Sequence, residues 1–151
     1  MKRWWTKTTV EECTVLSVQA LARAKVLVPN ARIYGALTKA NSGFRIDIEC
    51  ELGADYGALR LRYSLNDARQ IIGGDSIAYS ITITSTPLAW GKRRWWFICP
   101  LTVRGRACNR RAGKLYLPPG SRYFGCRHCH ALTYRSCQES DRRLADRKRA
   151  G

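Results

Sequence analysis

The residues of this chain best suited to chemistry are four cysteines, Cys99, Cys108, Cys126 and Cys129. The run Cys126-Arg127-His128-Cys129 has the tight C-x2-C spacing that lets two thiolates face one ion while nearby backbone N–H groups support the sulfurs. The first pair is looser. The eight residues PLTVRGRA separate Cys99 from Cys108, so this half reads as an expanded knuckle whose loop bulges away from the metal. Together the four match a zinc site built from four cysteines. Four thiolates complete a tetrahedron and leave no position for water, so the zinc is expected to be structural rather than catalytic.

Other candidate ligands and nucleophiles are weaker. Cys137, eight residues after Cys129, and His130, beside the second pair, are the alternative ligands, while Cys13 and Cys50 read as packed free thiols. His128 and His130 are expected to hydrogen-bond backbone or water. A histidine-and-metal hydrolase needs an open metal position and carboxylates close by, and the pattern offers neither, so no catalytic residue is assigned and the chain is not expected to be an enzyme.

Charge is distributed unevenly around these cysteines. Residues 1–75 carry 11 Lys and Arg against 8 Asp and Glu, whereas residues 76–151 carry 16 against 3. The second half therefore holds +13 of the formal +16, all of it between Lys92 and Gly151. Four thiolates and one Zn²⁺ change the total by only −2, to +14. Such a field favours a polyanion, of which nucleic acid is the usual one. Seven cysteines, together with a start, MKRWWTKTTVEEC, that lacks a continuous apolar stretch, point to a reducing, cytoplasmic location and to no membrane.

The elements that must position the cysteines are legible in the periodicity. A composition 45% hydrophobic is that of a globular protein. Thr9-Val10-Glu11-Glu12 has the form of a capping box and predicts a helix from Thr9, and Ser17 predicts a cap for a second segment, VQALARAKVL, ended by Pro29 and Asn30. In residues 43–52, Phe44, Ile46, Ile48, Cys50 and Leu52 alternate with charged residues, which predicts a half-buried strand; Leu59, Leu61, Tyr63 and Leu65 repeat the pattern after GADYGA. Pairing Leu52 with Leu59 sets Glu51 against Arg60 and Glu49 against Arg62, so the Asp47, Glu49, Glu51 row is expected to form cross-strand ion pairs rather than a metal-dependent catalytic site. A third strand is expected over Ile77–Thr84, after a Gly73-Gly74-Asp75 turn that follows a short strand at Gln70–Ile72, and an edge strand over Ala31–Leu37. Pro87–Lys92 then turns the chain into RRWWFIC, with Trp95 and Trp96 packing back on the sheet.

Between the knuckles, Lys114–Leu117 and Arg122–Phe124 read as two short strands around Pro118-Pro119-Gly120, the layout of a zinc ribbon. The strings WWFICPL, KLYLPPG and YFGCRHCHALTYRSCQES, over roughly residues 95–140, resemble a family of uncharacterised bacterial and mobile-element zinc-ribbon proteins. That resemblance implies a zinc ribbon behind a small β-rich domain and carries over the four cysteine ligands. Asn109 departs from it where glycine follows the second cysteine, and His130 where an aromatic residue is frequent. The tail SCQESDRRLADRKRAG predicts a basic helix capped by Ser136 or Ser140.

The expected fold class is therefore α+β: an antiparallel meander with short N-terminal helices (1–91), a four-cysteine zinc ribbon (92–135) and a basic C-terminal helix (136–151). The expected function is non-enzymatic nucleic-acid binding, with zinc as cofactor. Phosphate contacts fall on Arg93, Arg94, Arg104, Arg106, Arg110, Arg111, Lys114, Arg122 and Arg127, and on Arg142, Arg143 and Arg147 of the tail. Tyr116, Tyr123 and Trp90 are candidates to stack on bases, with a place in the ribbon's own small core as the commoner fate of such tyrosines. The rival expectation is an adaptor from a mobile element that docks on a host or defence protein complex, since no base-reading helix accompanies the charge.

Overall fold

A computed structural model describes residues 8–39, 44–65 and 76–136. The alternating segments form an antiparallel meander of β2 (Ala31–Thr38), β3 (Arg45–Leu52), β4 (Tyr56–Ser64) and β5 (Ser76–Pro87). β6 (Arg93–Ile98) and β9 (Arg111–Ala112) extend it, giving a six-stranded sheet of order β2-β3-β4-β5-β6-β9. Because side chains alternate with period two, Ile46, Ile48, Cys50 and Leu52 bury on one face. The charged set lies on the other, where Arg32 reaches Glu49 (3.4 Å) and Glu51 (2.9 Å), Arg60 reaches Glu49 (3.5 Å) and Arg45 reaches Asp47 (2.9 Å). The acidic row is thus engaged in solvent-facing ion pairs.

The partners within that row differ from the expected ones, because the β3–β4 register is shifted by two residues. Leu52 pairs with Gly57, Cys50 with Leu59, Ile48 with Leu61 and Glu49 with Arg60. A shift of two preserves which face each residue occupies, so the buried set is unchanged. Its cause is a shorter turn, closed by the Gly53 N–H on the Tyr56 carbonyl at 2.8 Å. Gly57 is consequently a strand residue, and a Cβ there would lie 2.7 Å from Leu52 Cα, an approach only glycine permits.

A second layer covers the apolar face. β1 (Thr14–Ser17) pairs antiparallel with β10 (Lys114–Leu117), and the short α1 (Val18–Arg23) follows β1 directly. Leu16, Leu21, Val26, Leu115, Leu117 and Phe124 of this layer form one buried cluster with Ile48, Leu59, Leu61, Ile81, Ile83 and Phe97 of the sheet, and Cys99 and Cys126 belong to the same cluster. Phe97 and Phe124 are fully buried, each worth about 1.5–3 kcal/mol of apolar transfer. The 1–91 and 92–135 segments share the sheet, since β5 pairs with β6 from Ile83↔Phe97 to Pro87↔Arg93. Trp95 packs against the core, while Trp96 lies on the opposite face with its Nε1–H on Thr86 Oγ1 at 3.1 Å.

The α+β expectation is corrected: the described residues are mostly strand, and the one α-helix that lies wholly within them has six residues. Ser17 caps it as expected, accepting the Ala20 N–H at 3.4 Å, but Lys25, at φ 57°, ends it within two turns. The Thr9 capping box yields only a three-residue 3-10 turn, Val10–Glu12, without a side-chain cap. Thr9 is instead held in a parallel bridge to Thr133, with the Val10 N–H on the Thr133 carbonyl at 2.9 Å, and this extended pairing competes with helix nucleation. The Arg122–Phe124 strand does not form either: β10 pairs with β1 along one edge, and its other edge makes only the isolated bridge Tyr116↔Gly125, since Pro118, which would face Tyr123 in that register, has no N–H to donate. The basic C-terminal helix, the Gln70–Ile72 strand and the Gly73-Gly74-Asp75 turn lie outside the described residues. Among the described residues, no helix is long and apolar enough to cross a membrane.

Candidate metal centre

β6 delivers Cys99 at its C-terminal end, and the Cys99 N–H bonds the Arg110 carbonyl at 2.9 Å. The chain then leaves in a second hairpin, β7 (Thr102–Val103) and β8 (Arg106–Ala107), and returns to Cys108, whose N–H meets the Leu101 carbonyl at 2.9 Å. Arg104 (φ 53°) and Gly105 (φ 77°) form its two-residue turn; both φ values are positive, as a type I′ hairpin turn requires. The expected bulge is therefore an ordered finger. Asn109, at φ 51°, supplies the left-handed conformation that glycine would otherwise supply, which asparagine tolerates better than most residues.

The second pair is set by β10. Tyr116 and Gly125 exchange backbone hydrogen bonds of 2.8 and 3.0 Å, placing Cys126 beside the first knuckle. A tight turn follows, in which the His130 N–H reaches the Cys126 carbonyl (3.3 Å) and the Leu132 N–H the Arg127 carbonyl (3.0 Å). The sheet pins this knuckle from below: the Tyr63 hydroxyl donates to the Arg122 carbonyl, the Tyr79 hydroxyl lies 3.0 Å from that of Tyr63, and the Phe124 N–H donates to Tyr79 Oη at 2.9 Å. Tyr63 and Phe124 also meet edge-on at 5.8 Å, as do Tyr79 and Tyr123 at 5.2 Å.

The four Sγ atoms all lie within 4.8 Å of one another. Cys99 to Cys129 and Cys108 to Cys126 are each 3.8 Å, far longer than a disulfide bond of about 2.05 Å. A tetrahedron with metal–sulfur bonds of about 2.3 Å has edges of about 3.8 Å, so the spacing suits a four-thiolate metal site. Backbone N–H groups point at the sulfurs: Cys126 N–H to Cys99 Sγ at 3.2 Å and Cys129 N–H to Cys126 Sγ at 3.5 Å. Burial pushes the Cys99 thiol up, and burial with the neighbouring thiols pushes Cys129 up. At Cys108 burial also raises the value, but the Arg110 N–H and the adjacent thiols outweigh it and bring it down to about 7. Charging four crowded thiols together is costly unless a cation sits among them. These four cysteines lie close together and could hold a metal ion.

Neither histidine joins them. His128 is exposed, and His130 Nε2 lies 3.1 Å from the Tyr123 carbonyl oxygen, with burial pushing its pKa down. Cys13 and Cys50 are buried free thiols, and Cys137 lies outside the described residues. Gly125 is fitted closely to the centre: a Cβ there would lie 2.8 Å from Leu101 Cγ and 3.0 Å from His130 Nε2.

Of the predicted cations, Arg93, Arg94, Arg104, Arg106, Arg110, Arg111, Lys114 and Arg122 are exposed and Arg127 is half-buried; Arg93 and Arg94 sit at the end of β6 remote from Cys99 and share a groove with Lys114, apart from those of the finger and knuckles. Arg93 is paired with Asp55 at 2.7 Å, Arg94 lies over the Trp96 ring at 4.3 Å and Arg127 over Tyr134 at 5.1 Å. Arg142, Arg143 and Arg147 fall outside the described residues. Of the aromatic candidates, Tyr116 is only 8% exposed and packs with Cys13 and Leu132, Tyr123 is 44% exposed, and Trp90 is 96% exposed. The finger is the feature missing from the sequence reading, although its Arg104-Gly105 pair between short β-compatible runs is a hairpin signal. No protein family, curated protein or solved structure matches this chain, so no relative lends the centre a role.

Proposed function

We propose that this chain is a non-enzymatic nucleic-acid-binding protein in which a structural zinc ion, held by Cys99, Cys108, Cys126 and Cys129, fixes a basic surface for phosphate contact. The observation that carries the reading is the composition of that surface. Residues 92–136 contain eleven Lys and Arg and no Asp or Glu; Arg104, Arg106, Arg110 and Arg111 stand exposed on the segments that flank Cys108, and Arg127 lies within the second knuckle. A tetrathiolate zinc adds a formal −2, too little to cancel that field. Zinc suits the donors, because soft thiolates in a closed tetrahedron favour it and leave no open coordination position for a substrate. The centre ties the arginine-bearing finger and the second knuckle to the sheet, so the cations are held in place rather than carried on a loose segment.

The test is metal content, then binding. One zinc per chain is expected, with affinity for DNA or RNA that falls steeply with salt, by about 0.9 in log–log slope per phosphate neutralised on duplex DNA. Removing Arg104 and Arg106 together should lower that slope by about 1.8 if each contacts one phosphate. Binding that is absent, or indifferent to salt, would refute the reading.

A further inference from the structure

The β5–β6 connection carries a side chain that folding does not use. Its loop is closed by the Leu88 N–H on the Lys92 carbonyl at 2.7 Å, and Trp90 stands in it with φ 67° and 96% of its surface exposed. A non-glycine residue in the left-handed region costs about 1–2 kcal/mol, and the indole recovers none of that by burial. Leu88, half exposed, forms one wall of a groove of about 430 Å³ whose other lining includes Leu27, Trp95, Arg94 and Lys114. Arg93 also borders it, but its guanidinium is engaged by Asp55 (2.7 Å) and Ser85 Oγ (3.0 Å). Lys92 and Lys114 have no ion pair among the described residues, and Arg94 is held over Trp96.

We propose that Trp90 and the adjoining groove form a base-stacking subsite for single-stranded nucleic acid, the bases meeting the indole and the phosphates meeting Lys92 and Lys114. This rests on the nucleic-acid reading above and narrows its ligand to unpaired strands. Every base offers a π-face, but in a duplex those faces are covered by neighbouring bases, so an exposed indole gains contact only where bases are unpaired. An exposed aromatic ring with unpaired cations nearby is an arrangement that holds a single strand without reading its sequence.

The experiment compares zinc-loaded full chain with Trp90→Ala and Trp90→Phe, using a fluorescent oligothymidylate and a hairpin duplex of the same charge. Trp90→Ala should weaken oligothymidylate binding by about 5- to 150-fold, the range of one lost stacking contact, and leave duplex binding unchanged. Trp90→Phe should keep most of the affinity. The salt slope should stay constant, since stacking releases no counterions, and the thermal midpoint should not move because the side chain is exposed. Unchanged single-strand affinity, or an equal loss on both probes, overturns the subsite while the proposed function stands. Failure of the unsubstituted chain to bind either probe removes the proposed function and the subsite together.

Discussion

Gly125→Ala offers a sharp test of how the two halves of the metal centre are joined. Gly125 is not among the glycines with positive φ, so an alanine can adopt its backbone conformation, and its two bonds to Tyr116 at 2.8 and 3.0 Å need not break. The cost is steric. The added methyl would sit 2.8 Å from Leu101 Cγ and 3.0 Å from His130 Nε2; Leu101 belongs to the first knuckle, His130 to the second. Forcing a methyl into a packed site costs about 1–3 kcal/mol. Relief comes from turning the Leu101 side chain or, where its packing prevents that, from moving Leu101 away from Gly125, and only the second separates Cys99 from Cys126. If all of the strain is felt only when the four thiols close on the metal, zinc affinity should fall by about 5- to 150-fold at about 1.4 kcal/mol per tenfold. Competition with a chromophoric chelator measures the affinity, and urea unfolding with and without zinc measures the stability. Leu101→Ala provides the control: it removes the obstructing side chain, so the double variant should be less impaired than the sum of the two single ones. Strict additivity would refute the steric account, and an unimpaired Gly125→Ala would show that the Leu101 side chain yields to the methyl and does not couple the two knuckles.

Cys126→Ser should weaken the thiolate-to-metal charge-transfer absorption of the Co²⁺-substituted protein and lower its metal affinity, since three thiolates remain, and chelation or acidification should lower the thermal midpoint of the parent chain, because protons compete with metal for the thiolates and a structural zinc can contribute on the order of 10 kcal/mol. Burial, then the bond to Tyr79, raises the Tyr63 pKa, and burial raises that of Tyr79. Their unfolded value is about 10, so above that pH the unfolded state loses protons first, and stability should decline as pH rises toward the higher folded values. Tyr63→Phe should be less stable at neutral pH, with its bond to the Arg122 carbonyl lost, and should show a shallower alkaline decline in denaturant titrations followed by circular dichroism.

Which features were legible in the chain depends on the range of the interaction that makes them. The alternation of Ile46, Ile48, Cys50 and Leu52, the Ser17 cap and the C-x2-C pair are local patterns with one physical solution each, and all three stand in the fold. The Thr9 capping box is equally local in form, yet it gave way to a bridge with Thr133, a partner more than a hundred residues distant. Lys114–Leu117 was legible as a strand, but its main partner was not, because Thr14–Ser17 lies near the other end of the chain and reaches β10 only through tertiary packing. The two-residue shift of the β3–β4 hairpin escaped for a different reason: the hydrophobic pattern repeats every two residues, so only the turn could distinguish the registers.

By itself the sequence determined the identity of the four thiols, the crowding of positive charge beside them and the face each strand residue would occupy, because composition and periodicity are properties of the chain alone. Tertiary structure decided that the sulfurs lie at 3.8 Å across the centre, that the long spacer is a finger, that Tyr116 is buried and that Trp90 is left in solvent. Those outcomes depend on which distant segments compete for the same backbone groups and the same apolar surface, and that competition is settled only when the chain is folded.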